Sequence, residues 1–324
     1  MPVVPATPEA IRQAARAVAR GDIVAFPTET VYGLGANALD GTAIAKVFAA
    51  KERPRFNPLI VHVLGLVEAE AYALLDRTAR KLAEAFWPGP LSLVLRKRAG
   101  CPVADLVTAG LDTIALRAPA DLVARSLLAE VKLPIAAPSA NRSGRISPTT
   151  AAHVEVELGE RPAMILDGGP CLLGLESTVV SLAATPTLLR SGALPREVIE
   201  TLLGQRLAEA KAGARPASPG QLATHYAPGT PVRLGATTVH RKEALLAFGP
   251  DAPPGALATI NLSASGDLKE AAAKLFGALR ELDRAGAITI AVMPIPGDGL
   301  GEAINDRLQR AACGTSPRRA SEQS

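Results

Sequence analysis

The sequence predicts an α/β fold in two parts, and three observations predict it. Over residues 1–205, short apolar runs of strand length interleave with helical segments at irregular spacing. That is the pattern of an α/β or α+β domain rather than of a regular repeat. Residues 206–230 then lose both periods: an Ala/Lys/Glu-rich stretch over 207–214 runs into Arg215-Pro216-Ala217-Ser218-Pro219-Gly220, which reads as a linker. Residues 231–312 resume as a βαβαβα series, which implies a small parallel sheet with helices packed on it, and 313–324 form a polar tail read as disordered.

The individual elements follow from local signals. Thr7-Pro8-Glu9 opens a helix with a capping hydroxyl and a proline at its first position, and Gly21 ends it. Ile23-Val24-Ala25-Phe26 is a short buried strand. A helix over 42–50, a strand over 59–64 and helices within 67–86 come next, then strands over 91–95, 113–117 and 134–137. Ser147-Pro148-Thr149 opens a further helix by the same cap-plus-proline logic, and strands over 165–166, 177–182 and 187–189 lie between glycine turns. In the second part, strands near 231–234, 256–261 and 288–293 alternate with helices near 240–247, 267–284 and 301–312.

Composition narrows the function. An apolar content of 48% against 20% charged residues supports buried cores. Aromatics at 3% argue against an array of stacking platforms for single-stranded nucleic acid, and a net charge of +4 over 324 residues tolerates anionic partners without demanding them. Cys101, Cys171 and Cys313 stand far apart with no C-x-x-C spacing, which argues against a zinc site or a disulfide framework. Met1-Pro2-Val3-Val4-Pro5 has neither a basic nor an apolar signal region, and no run approaches a membrane span, so a cytoplasmic protein without a membrane segment is expected.

Four loops carry chemistry. Lys51-Glu52-Arg53-Pro54-Arg55-Phe56-Asn57-Pro58-Leu59 places three cations in five residues ahead of the apolar run Leu59-Ile60-Val61-His62-Val63. Pro54 and Pro58 stiffen it, and a stiff cationic loop loses less entropy on binding an anion than a floppy one. A solvated charge run is the equally ordinary reading of this loop alone. Phe26-Pro27-Thr28-Glu29-Thr30-Val31-Tyr32-Gly33-Leu34-Gly35 sets hydroxyls beside a strand end, where a glycine turn leading to a helix would look the same. Ala137-Pro138-Ser139-Ala140-Asn141-Arg142-Ser143-Gly144 and Leu189-Arg190-Ser191-Gly192 follow strands too; taken singly they are a common turn and a surface arginine.

Taken together, and with Trp87-Pro88-Gly89-Pro90-Leu91-Ser92 and Glu176-Ser177-Thr178-Val179-Val180, these motifs resemble in order and spacing the YrdC-like threonylcarbamoyl-AMP synthases. Ser218-Pro219-Gly220 and His225-Tyr226-Ala227-Pro228 resemble the linker of the long, two-domain form, so the likeness spans nearly the whole chain. The intervening Gln221-Leu222-Ala223-Thr224 departs from the methionine and basic or aromatic residues of many long-form members. The resemblance implies an α/β fold made of a twisted open mixed sheet with a basic concave cavity, followed by a small Rossmann-like parallel α/β domain. It implies a nucleotidyltransferase that condenses L-threonine, bicarbonate and ATP into threonylcarbamoyl-AMP with release of pyrophosphate. The product would feed threonylcarbamoyl-adenosine formation in tRNA, through a downstream tRNA threonylcarbamoyl transferase machinery and with at most weak tRNA contact.

By motif, the resemblance makes Lys51, Arg53, Ser139 and Asn141 the catalytic tetrad. It places Arg53, Asn57, Thr113, Ser139, Ser147, Arg190 and Tyr226 on ATP, and Thr30, His62, Arg117, Ala137 and Ser177 on threonine. A guanidinium fork such as Arg117 suits the two oxygens of a carboxylate. The inventory fits the chemistry: a threonine carbamate is already an anion, so its attack on the α-phosphorus needs positioning and charge neutralisation by Lys51, Arg53 and Mg2+ brought with ATP. Glu29 and Glu176 are either buried partners of the cavity's cations or water-mediated holders of that magnesium. His62 alone reads as a core histidine, and Tyr226 as linker packing. Two other readings are an RNA-binding module using the basic cavity without ATP turnover and a carbamoyl-transfer maturation factor; the chain lacks the zinc-type cysteine pairs of the latter. No glycine-rich fingerprint follows the first strand of the second part, so a lid or scaffold for the linker is the expected role of that domain.

Overall fold

The computed structural model describes residues 3–54, 56–210 and 226–314. Expectations that fall on Arg55, on 211–225 (Ser218-Pro219-Gly220, the altered 221–224 and His225 included) and on 315–324 lie outside the described residues. The strands of the first domain are β1 Val3–Pro5, β2 Val24–Phe26, β3 Gly33–Asn37, β4 Ile60–His62, β5 Leu91–Arg96, β6 Thr113–Arg117, β7 Ile135–Ala136, β8 Met164–Asp167, β9 Thr178–Ser181, β10 Thr187–Arg190 and β11 Ala208–Glu209. They form one eleven-stranded mixed sheet in the order β1-β8-β2-β3-β7-β4-β6-β5-β9-β10-β11. Its helices are α1 Pro8–Ala19, α2 Gly41–Lys51, α3 Leu66–Ala69, α4 Arg77–Phe86, α5 Asp105–Thr108, α6 Leu122–Val131, α7 Ala151–Leu158 and α8 Arg196–Leu203.

Strand alternation decides which face stays open. Val61, Leu93 and Leu116 point into a core shared with Ile44, Val47 and Phe48 of α2 and with Leu82 of α4. On the opposite face α1 and α6 cover the β2 and β8 side through Ile11, Ala14, Leu127 and Leu128 against Phe26 and Leu166. Between them Ile60, Val94, Ala115 and Val179 form only a small cluster, which leaves the middle of that face for a cavity. The register of β4 on β6 pairs Ile60 with Ala115 and His62 with Arg117, so His62 and Arg117 stand side by side on the open face.

Local signals explain most starts and stops. Thr7 caps α1 by accepting from the Ala10 amide, with Pro8 at the first position, and Gly21 sits at φ +84°. The α7 helix begins later than its Ser-Pro-Thr signal suggests: Thr150 is the cap, because the Ser147 hydroxyl is committed to Glu176. Gly33 and Gly35 belong to β3 rather than to a turn before a helix; a Cβ on Gly35 would lie 2.6 Å from the Phe26 ring and 2.7 Å from Ile135. Gly192 is held as tightly, since a Cβ there would meet backbone atoms of Glu176, Ser177 and Thr178 at 2.4–2.5 Å. Gly192→Ala is therefore expected to cost roughly 3 kcal/mol of stability, read as a lower urea midpoint. An unchanged midpoint would mean that the Arg190–Gly192 turn can shift freely.

The second domain is a four-stranded parallel sheet in the order β12-β15-β13-β14, from β12 Val232–Arg233, β13 Glu243–Ala247, β14 Ala258–Asn261 and β15 Thr289–Val292, with α9 Leu268–Asp283 and α10 Leu300–Gly314. The segment near 240–247 is thus a strand, not a helix. All five residues of β13 are buried, and it hydrogen-bonds to β15 and β14 together, so tertiary pairing overrides the helix preference of Glu-Ala-Leu-Leu-Ala. Cys313 and Gly314, assigned to the tail, complete α10. β11 adds to the large sheet from within the stretch read as linker. No described helix is long and apolar enough to cross a membrane.

The two domains share one apolar cluster: Val31, Ile146 and Leu175 of the first pack with Tyr226, Phe276, Leu279, Ile304 and Leu308. Ion pairs Arg196–Glu302, Arg280–Glu157 at 3.0 Å and Arg307–Glu176 at 2.9 Å cross the same seam.

Candidate active site

One wall of the cavity starts with the Thr28–Val31 turn. Thr28 Oγ1 donates to the Val31 carbonyl at 2.7 Å and accepts from the Thr30 and Val31 amides, which fixes where Thr30 points. Thr30 Oγ1 then accepts from Arg117 Nη1 at 2.9 Å. Arg117 Nη2 pairs with Glu29 at 2.6 Å, and the other Glu29 oxygen accepts from the Ala120 and Asp121 amides. Burial pushes the Glu29 carboxyl up, but Arg117 outweighs it and holds it below the usual carboxylate range. Glu29 is therefore the buried partner of Arg117.

His62 stands beside Arg117 with its Nδ1 buried and without a hydrogen-bond partner among the described residues, edge-on to Phe26. Burial, then the Arg117 charge, push it down to about 3, so the ring is neutral. Because that lies below the ordinary 6.5, the unfolded chain takes the proton first as pH falls. The His62 contribution is complete above the unfolded value and drains at up to about 1.4 kcal/mol per pH unit below it. His62→Gln is expected to flatten the unfolding free energy by that slope between about pH 6 and 5, measured in urea melts. Equal slopes in both proteins would mean that the ring is charged in the fold.

The opposite wall is cationic. Arg53 lines it, with Nε donating to the Asn57 carbonyl at 3.3 Å and Nη2 to Pro58 at 3.0 Å. Burial, and then Arg190, lower its pKa to about 9. Arg190 holds Ser177 by its carbonyl and its hydroxyl, and Ser177 Oγ also pairs with Ser92 at 2.8 Å. Glu176 takes the Ser147 hydroxyl at 2.5 Å and Arg307 Nε at 2.9 Å. Burial works against its charge, but Arg307, Arg190 and the Ser147 hydrogen bond hold it at about 2. Tyr226 closes this side at φ +62°, its ring stacked on Phe276 at 5.5 Å.

Of the residues expected to act, Thr30, Arg53, His62, Arg117, Ala137, Ser139, Ser177, Arg190 and Tyr226 line a single cavity, joined by Val31, Ile60, Pro138 and Glu176. Lys51, Asn57, Asn141, Ser147 and Thr113 stand behind or beyond it. Lys51 is fully buried and its ammonium donates to the Ser139 carbonyl at 2.5 Å and to the Asn141 carbonyl. It ties down the loop that carries both residues. Ser147 faces Glu176. Thr113 lies on the face of Arg117, four residues or about 13 Å along the strand. The Asn57 side-chain amide and Asn141 Oδ1 are buried without a hydrogen-bond partner among the described residues.

A roomier groove of about 790 Å³ lies at the domain seam, but Leu172, Leu173, Ala193, Leu268, Ala272 and Leu300 make it apolar. Convergent charges and hydroxyls mark the smaller cavity as the chemical one. The carboxylates near it are committed to arginines, and no group of three metal-ligating side chains occurs among the described residues.

An open mixed sheet whose bare strip holds arginines and hydroxyls around one cavity makes this an α/β protein with a cationic cavity, here backed by a small parallel-sheet domain. Residues 16–192 match the Sua5, YciO and YrdC family described as Telomere recombination, and 194–313 match the threonylcarbamoyl-AMP synthase C-terminal domain. The chain belongs to the threonylcarbamoyl-AMP synthase family. The Pyrococcus abyssi threonylcarbamoyl-AMP synthase is 42% identical over 93% of this chain and 94% of its own length, and the Bacillus subtilis one 39% over 94% and 93%. The crystal structure of P. abyssi Sua5 complexed with L-threonine superposes with a TM-score of 0.88 at 37% identity, covering 95% of this chain and 96% of that one.

Proposed function

We infer that the protein condenses L-threonine, bicarbonate and ATP into threonylcarbamoyl-AMP, releasing pyrophosphate and water, in the cytoplasmic route to threonylcarbamoyl-adenosine in tRNA. The observation that carries this reading is Arg117 with Thr30 on one wall of the cavity and Arg53 with Arg190 on the other. One wall suits a carboxylate, the other phosphates. The threonine in the P. abyssi Sua5 crystal structure supports threonine as an occupant.

Threonine would sit with its carboxylate on Arg117 and its side chain among Thr30, His62 and Ser177. A neutral His62 adds no charge there, so it shapes the pocket without competing for the carboxylate. Bicarbonate converts the amino group to a carbamate, whose oxygen attacks the α-phosphorus while pyrophosphate leaves. Arg53 and Arg190 hold the phosphates and neutralise charge that grows on the leaving group. Lys51 acts from behind, by holding the Ser139–Asn141 loop. Magnesium would come with the nucleotide and would add charge neutralisation at the phosphates, since Glu29 and Glu176 are already paired with Arg117 and Arg307.

The test is pyrophosphate release with each substrate omitted in turn. Release should require threonine and bicarbonate together with ATP. Release indifferent to threonine would reject the reading, and salt-sensitive RNA binding without turnover would replace it with an RNA-binding module.

A further inference from the structure

We propose that Arg307, a residue of the second domain, is a positioning residue for nucleotide use: it neutralises Glu176 from behind and holds Tyr226 in the cavity wall. This rests on the reading of the cavity as an ATP and threonine site.

Arg307 is 0% exposed, and each guanidinium nitrogen is used. Nε donates to Glu176 at 2.9 Å, Nη1 to Asp306 at 2.7 Å and Nη2 to the Ser191 carbonyl at 2.9 Å. The guanidinium carbon lies 5.0 Å from the centre of the Tyr226 ring, whose flank is also covered by Phe276. Burying an arginine is costly, and the apolar cluster of Tyr226, Phe276, Leu279, Ile304 and Leu308 would pack as well without a charge beside it. The partners explain the charge. Glu176 and Tyr226 line the cavity, and Ser191 follows Arg190, which lines it too. The other ion pairs across the seam, Arg196–Glu302 and Arg280–Glu157, touch none of the lining residues.

The consequence concerns repulsion. A carboxylate in the wall of a site for a polyphosphate would oppose the ligand unless a cation cancels it. Arg307 supplies that cation from outside the cavity, and adds to the charge of Arg190, which lowers the same carboxyl from the inner side. Threonine, bound across the cavity at Arg117, does not depend on this compensation. Among the described residues, the second domain thus contributes to the nucleotide side rather than to the threonine side.

The experiment uses the full chain and steady-state pyrophosphate release. Arg307→Met is expected to raise the KM for ATP at least tenfold and leave the KM for threonine within about twofold. The ATP effect should shrink as pH falls from 8 to 6, because Glu176 without Arg307 takes up a proton more readily. Adding Glu176→Gln to Arg307→Met should recover most of the ATP KM, since it removes the uncompensated charge. Should Arg307→Met fail to fold, Arg307→Lys keeps the charge but cannot span Glu176, Ser191 and Tyr226, and should give a smaller rise confined to ATP. Both KM values unchanged with less folded enzyme, or both raised alike, would overturn the proposal. Loss of threonine dependence in the wild type would instead overturn the reading beneath it, whatever the variants do.

Discussion

Arg117→Met is expected to lower threonine use at least a hundredfold, mainly as a raised KM for threonine, and to destabilise the fold at the same time. Both effects have one origin. Arg117 and Glu29 are a buried pair at 2.6 Å, and removing the cation leaves a buried carboxylate held by backbone amides alone. Breaking such a pair costs about 3–5 kcal/mol, whereas removing both charges is often close to neutral. Arg117→Met with Glu29→Gln should therefore regain much of the lost melting temperature. It should not regain the threonine KM, because the carboxylate-binding fork is still missing. If threonine use returned along with stability, Arg117 would be a structural cation and the carboxylate would bind elsewhere.

The second large effect is expected at Lys51. Its ammonium is fully buried, makes no ion pair among the described residues, and is spent on the carbonyls of Ser139 and Asn141. Burial first, and then the Arg53 charge, push its pKa well below the ordinary lysine value. Stability should accordingly rise with pH as the solution passes from that lowered value towards the unfolded one, since the unfolded chain keeps the proton longer. Lys51→Met removes the desolvation cost and frees two carbonyls, so the melting temperature should change little. The loop bearing Ser139 and Asn141 loses its tether, and kcat should fall about a hundredfold, the scale of a misplaced catalytic group, with the threonine KM nearly unchanged. Wild-type kcat would show that the loop needs no tether.

How much of this was legible in the sequence depends on distance along the chain. The motif loops were legible because each adjoins a strand end, and the β4–β6 and β9–β10 pairings bring Ser177, Arg190, His62 and Arg117 to one face. The direction of Lys51 was not: a cation next to Arg53 reads as a fellow ligand group, and only the folded loop reveals carbonyls waiting behind it. α8 carries no strong start signal, since Pro195 offers no capping side chain, whereas α6 has one in Asp121, which accepts from the Val123 and Ala124 amides. β13 reads as a helix in the sequence because its residues favour one, while its neighbours in the sheet demand a strand. Arg307 had no signal at all, being 131 residues from Glu176 and set in an ordinary amphipathic helix.

The cluster shared by Val31, Ile146 and Leu175 with Tyr226, Phe276 and Ile304 bears on cooperativity. Two sheets define two domains by topology, yet the apolar surface that would seal each is partly supplied by the other. Cutting the chain near residue 205 would bare that surface and strip Glu176 of its counter-charge in a single stroke. Such a fragment would melt early and bind nucleotide poorly for the same reason. In this molecule the unit that folds and the unit that catalyses are one and the same.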